Sequence, residues 1–148
     1  MRLSIFNAKE GDIPMSQDKK KIIIAEDEPT LMGMYKLYFE RAGFEVIGVE
    51  NGGDCIDSAK KDNPDLVLLD IMMPKVNGWE VLKNLKNDPK AKQIPILVFS
   101  NFAQPQEIQR GLDLGADEYV VKSDLTPKEV LDKVNQMILN NYEKNSTC

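Results

Sequence analysis

Histidine is absent from the 148 residues. That absence excludes histidine-based zinc sites and Ser-His or Cys-His catalysis within the chain. Cysteine is scarce: Cys55 and Cys148 make neither a disulfide framework nor a metal-ligand spacing. No apolar run approaches the length of a membrane span, and Met1 to Phe6 lack the apolar core of a signal peptide. A cytoplasmic protein without membrane contact is expected. There are no internal repeats and no low-complexity segments. No glycine-rich phosphate loop follows the first apolar run, which disfavours a nucleotide-binding fold. Net positive charge is also missing. With a net charge of −5, the chain lacks the basic surface of a nucleic-acid groove, and Lys19-Lys20-Lys21 reads as a solvated approach to a strand. What remains is a chain 42% hydrophobic and 29% charged, ordinary for one soluble domain with a single sizeable core.

The segment around which the rest is arranged is Pro64-Asp65-Leu66-Val67-Leu68-Leu69-Asp70-Ile71-Met72-Met73-Pro74. A short apolar run reads as a strand buried on both faces. Asp70 then stands at its carboxyl end, where open α/β sheets place their chemistry. Residues 1–18 read as a flexible tail, 19–142 as the folded domain and 143–148 as a second tail. Lys21 to Ala25 is a β-branched strand followed by Glu26-Asp27-Glu28, and Pro29 suits a first helical turn. Leu31, Met34, Tyr35 and Tyr38 recur at helical spacing up to Gly43, a C′ residue. Phe44 to Val49 is the second strand, Asn51-Gly52-Gly53 its turn, and 54–61 a short helix with Cys55, Ile56 and Ala59 inward. Gly78 to about Lys86 is the third helix. Ile94 to Phe99 is the fourth strand, with Pro95 near its start. Residues 105–114 form a helix carrying Ile108, Leu112 and Leu114, and Glu118 to Val121 is the fifth strand. Thr126-Pro127-Lys128-Glu129 has the form of a capping box opening a last helix to about Asn141. Strictly alternating strands and helices imply right-handed crossovers and a parallel sheet covered on both faces.

In that topology the ends of strands one, three, four and five deliver Glu26 and Asp27, Asp70, Ser100 and Lys122 to one sheet edge. Three carboxylates in a cleft repel, so one protonates or a cation sits among them. Oxygen ligands alone suit a hard divalent ion, magnesium above others. A carboxylate beside such an ion attacks phosphorus, Lys122 neutralises charge on the equatorial oxygens, and Ser100 donates a hydrogen bond to one of them. Each residue also has a plainer reading. Asp70 alone opens a loop; Glu26-Asp27 complements a helix dipole; Lys122 is a surface cation or a structural salt bridge; Ser100 opens a turn; Tyr119 is an edge aromatic. Trp79, Met32, Met34, Met72, Met73 and Met137 read as packing, and Cys55 as a small buried hydrophobe. The convergence of the polar groups on one edge favours phosphoryl transfer onto Asp70.

Over residues 21 to about 141 the chain resembles the receiver domain of bacterial two-component response regulators. The matching pieces are Ile24-Ala25-Glu26-Asp27-Glu28, Leu68-Leu69-Asp70-Ile71-Met72-Met73-Pro74 with Gly78, Val98-Phe99-Ser100, and Gly115-Ala116-Asp117-Glu118-Tyr119-Val120-Val121-Lys122. The resemblance implies a flavodoxin-like (βα)5 fold, strand order 2-1-3-4-5, in a stand-alone receiver similar to chemotaxis regulators. It implies Asp70 as acceptor of a phosphoryl group from a phosphohistidine of a sensor histidine kinase or phosphotransfer protein. It assigns magnesium, with manganese as substitute, to Glu26, Asp27, Asp70 and the Met72 carbonyl, phosphoryl contact to Lys122, and a switch to Ser100 and Tyr119. Such a protein is no enzyme beyond its own phosphorylation and dephosphorylation. Output would pass through the face of the fourth helix, fifth strand and fifth helix, to a downstream protein target or a phosphorylation-dependent homodimer. The histidine missing here would belong to the donor.

Two positions depart from the family pattern. Ser123 follows Lys122 where proline, often cis, is usual, so a trans peptide and a different following loop are expected. Asn101 replaces the usual small residue after the switch hydroxyl. Met72 and Phe102 border the site and are expected to shield an acyl phosphate from water, slowing its loss. The rival readings are a phosphorylation-independent pseudo-receiver, disfavoured by the intact acids and lysine, and an aspartyl-intermediate phosphatase, which lacks a spare general acid or base.

Overall fold

The computed structural model describes residues 19–146; the expected tail over 1–18 lies outside the described residues, as do 147–148. Within it the short apolar runs form parallel strands β1 (Lys21–Ala25), β2 (Glu45–Val49), β3 (Leu66–Leu69), β4 (Ile96–Ser100) and β5 (Glu118–Val121). The helices between and after them are α1 (Pro29–Arg41), α2 (Gly52–Asp62), α3 (Gly78–Lys86), α4 (Pro105–Asp113) and α5 (Pro127–Ser146). The sheet order is β2-β1-β3-β4-β5, the expected 2-1-3-4-5. Every pairing is parallel.

Alternation along the strands divides the core into two layers. Ile23, Ala25, Val67, Leu69, Ile96 and Val98 face α2 and α3 through Cys55, Ala59, Val81, Leu82 and Leu85. Ile22, Ile24, Leu66, Leu68, Leu97 and Phe99 face α1 and α5 through Tyr35, Phe39, Val130, Val134, Met137 and Ile138. Each fully buried side chain of this kind contributes about 1.5–3 kcal/mol of burial, which fixes the strand register and hence the sheet edges.

Several local expectations are corrected. Asn51-Gly52-Gly53 is not a free turn: the Asn51 side chain accepts from Asp54 N at 2.9 Å, and α2 begins at Gly52. An N-cap bond satisfies an end donor that a turn would leave open. On α1 the inward pair is Tyr35 and Phe39, one turn apart, while Met34 is exposed. On α4 the buried residue is Gly111 and Leu112 is exposed. Pro95 precedes β4 rather than lying in it. The last helix continues past Asn141 to Ser146. Its start is as expected: Glu129 N donates to Thr126 Oγ1 at 3.2 Å and Glu129 Oε1 accepts from Thr126 N at 2.9 Å.

At the amino-terminal edge of the sheet, Lys86 at the end of α3 spans three oxygens. Its Nζ donates to Asp117 Oδ2 at 2.8 Å, Ile94 O at 3.0 Å and Lys92 O at 3.3 Å. Asp117 Oδ2 also accepts from Ile96 N at 2.8 Å. This staple fixes the starts of β4 and β5 beneath α3.

Candidate functional site

The register places the polar residues before any of them touches another. Ala25 pairs with Leu69, so Glu26 and Asp70 each come one residue past the same rung. Ser100 pairs with Val121, which puts Lys122 immediately beyond. Asp70 N donates to Ala25 O at 3.0 Å and Glu26 N to Val49 O at 3.0 Å, holding both acids to the sheet. The loop after β3 is drawn back tightly, because Gly78 N donates to Ile71 O at 2.8 Å. A Cβ on Gly78 would stand 2.4 Å from Ile71 Cα, so only glycine allows that approach.

Glu26, Asp27 and Asp70 bring carboxylate oxygens within 4.8 Å of one another. Glu26 and Asp70 are buried and Asp27 is exposed. Lys122 Nζ donates to Glu26 Oε1 at 2.6 Å and to Asp70 Oδ2 at 3.0 Å. Asp70 Oδ1 accepts from Met72 N at 3.2 Å, and Glu26 Oε2 from Glu28 N at 3.0 Å. Both oxygens of each buried acid are therefore engaged. Burial pushes the Asp70 carboxyl up from its ordinary range, opposed chiefly by the Lys122 charge. Burial pulls the Lys122 ammonium down, but the Glu26 hydrogen bond and the Asp70 charge outweigh it and hold the lysine above its usual value. One ammonium faces three acids, so the site carries uncompensated negative charge.

That donor set fits a hard divalent cation: oxygen ligands only, clustered, with one carboxylate open to solvent. Of Met72, the amide and not the carbonyl is seen engaged with Asp70. The two hydroxyl residues sit beside the cluster rather than in it. Ser100 is fully buried, and its Oγ accepts from Phe102 N at 3.1 Å. Tyr119 Oη donates to Phe102 O at 2.8 Å. Burial pushes the Tyr119 phenol up, against a hydrogen bond from Ser100. Among the described residues neither hydroxyl bonds a carboxylate. Phe102 is the residue whose part the sequence did not announce: it acts through backbone groups that every residue has. No described peptide is cis, including Lys122–Ser123, and Lys122–Asp124 forms a short 3-10 turn. Cys55 is removed from the chemistry, its thiol pushed up to about 12 by burial.

The family model of the response regulator receiver domain matches residues 22–135. The alkaline phosphatase synthesis transcriptional regulatory protein PhoP of Bacillus subtilis is 35% identical over 121 residues, covering 80% of this chain and 48% of that protein. The chain thus spans about half the length of such regulators. The polar-differentiation response regulator DivK of Brucella anthropi is 34% identical over 109 residues, covering 74% of this chain and 89% of DivK. Among solved structures, a CheY-like response regulator receiver domain protein from Methanospirillum hungatei superposes with a TM-score of 0.79, 22% identity, and coverage of 86% and 99%. That likeness speaks to the fold. Among the described residues no helix is long and apolar enough to cross a membrane.

Proposed function

We propose that this chain, which belongs to the response regulator receiver domain family, accepts a phosphoryl group on Asp70 from a phosphohistidine of a partner protein. The observation that carries the reading is the Lys122 ammonium shared between Asp70 and Glu26 at the edge of the sheet. An Asp70 oxygen attacks phosphorus, a P–O bond forms, the P–N bond breaks, and its electron pair leaves on the donor imidazole. Lys122 would leave the Asp70 oxygen and meet the charge arriving on the phosphoryl group. Magnesium, held by Glu26, Asp27 and Asp70 and completed by the Met72 carbonyl, would supply charge neutralisation at the transferring group. The Ser100 hydroxyl would donate to a phosphoryl oxygen, with Tyr119 responding. The consequence is a shift in the α4-β5-α5 face, read by a downstream protein or by a second copy. The chain is a signalling module and turns over no separate substrate in this reading.

Incubation of the full chain with magnesium and a small phosphodonor, followed by intact mass, tests this. One phosphoryl adduct is expected on the wild type and none on Asp70→Asn. An undiminished adduct on Asp70→Asn, or none on the wild type, overturns the assignment.

A further inference from the structure

The connection from β4 to α4 is held at one residue. The peptide groups of Phe102 bond both Ser100 Oγ and Tyr119 Oη, at 3.1 and 2.8 Å. One residue therefore carries both hydroxyls of the proposed switch pair. Its side chain is held as well: the Phe102 ring lies parallel to Trp79, with an interplanar angle of 2° and centroids 6.4 Å apart. Trp79 is buried in the core beneath, on α3. From α4, Arg110 sets its guanidinium 4.3 Å from the Trp79 ring, and among the described residues Arg110 forms no ion pair. The helix is otherwise thinly attached. Its buried residue is Gly111, where a Cβ would stand 2.8 Å from the Tyr119 ring.

These contacts load the path that Ser100 would take. In the proposed switch the Ser100 hydroxyl turns toward a phosphoryl group on Asp70, and in doing so it gives up its bond to the Phe102 peptide or draws that peptide with it. The Phe102 ring then slides on Trp79, and Arg110 with α4 follows. Contacts made in only one of two states oppose the shift to the other. We propose that Trp79 and Arg110 are positioning residues that brake the switch by holding Phe102, and that their stack sets the apparent affinity of the site for a phosphoryl group. The inference rests on the phosphoacceptor reading of Asp70.

The test is titration of the full chain with beryllofluoride, a phosphoryl mimic, in magnesium, followed by fluorine NMR. The fluorescence of Trp79, the one tryptophan, is recorded alongside. Arg110→Gln lies at the exposed end of the stack and is expected to tighten binding about threefold, the loss of one cation–π contact. Trp79→Leu is expected to tighten it about tenfold, and Trp79→Phe, which keeps a flat ring for Phe102, to return it toward wild type. In the wild type and in Arg110→Gln the tryptophan emission shifts on binding. A merely structural role for the stack would not tighten binding. If Trp79→Leu does not fold, Arg110→Gln decides. Unchanged or weaker binding by folded Arg110→Gln overturns the brake while leaving Asp70 as acceptor. No uptake by the wild type overturns the acceptor reading and the brake with it.

Discussion

Two lysines of equal exposure, 14% for each side chain, sit at opposite edges of the same sheet. Lys86 meets one carboxylate, half open to solvent, and two backbone carbonyls. Its charge is balanced and its donors are used. Lys122 meets two buried carboxylates, with a third acid close by. Its charge is outnumbered. The first arrangement ties strands together and asks for nothing further. The second leaves negative charge in a desolvated place, where a cation or an electrophile finds its partner ready. What separates clamp from site here is charge balance and the burial of the acids, since the two lysines match in exposure and their ion pairs are of similar length.

The comparison can be broken most sharply at Lys122. Lys122→Met is expected to slow adduct formation from a small phosphodonor by about 100-fold, the loss of one preorganised charge at the transferring group. Its thermal stability should fall, since two buried acids lose their partner, and should recover more than that of the wild type when magnesium is added. A rate within a few-fold of wild type would place Lys122 in the same class as Lys86. The reciprocal variant, Lys86→Met, is expected to lose about 2 kcal/mol in urea unfolding, as carbonyls and Asp117 lose a charged donor. Its folded fraction should take up phosphoryl at the wild-type rate. A slowed rate there would mean that the two edges are coupled.

The smallest effect has the opposite sign. Asp70→Asn is expected to stabilise the fold by about 1 kcal/mol, because it removes a buried charge. Burial raises the folded-state pKa of Asp70, so the native state holds its proton longer than the unfolded chain. Stability contributed by that proton is present below the ordinary carboxylate value and is lost as pH rises through the folded value. Unfolding curves from about pH 4 to about pH 8 should show that decline in the wild type and a flatter line in Asp70→Asn. A destabilised Asp70→Asn would show that the Lys122 pairing outweighs desolvation.

Much of this could be read from the chain. Helix α3 over Gly78–Lys86 and strand β5 over Glu118–Val121 have the expected bounds: apolar residues at helical spacing mark the first, and a short aromatic and β-branched run soon after Gly115 marks the second. The edge bearing Glu26, Asp70, Ser100 and Lys122 followed from strand ends alone, since a parallel βα order leaves little freedom in where those ends point. The failures share a cause. Met34 reads as packing from its apolarity and is exposed, as is Leu112 on α4, because apolar spacing does not carry the helix's rotational phase, which packing sets. Asn51-Gly52-Gly53 reads as a turn and is a helix cap, because turn and cap residues are the same residues. Lys86 and Asp117 stand thirty-one residues apart with nothing in either segment to announce their pairing, and Phe102 acts through its peptide. Long-range pairs and backbone contacts leave no local trace.

The bond between Glu26 and Lys122 joins residues separated by 96 positions. A ribosome makes the first of them when most of the domain does not yet exist, and chains fold late when their contacts are this distant. The central strand β1 must wait for β3, and the acids must wait for β5 to bring the lysine. An incomplete chain has the acids without their counter-charge, on an edge not yet assembled. On the proposed reading, competence to accept a phosphoryl group would arrive with the last strand, and its uptake would double as a readout of finished folding.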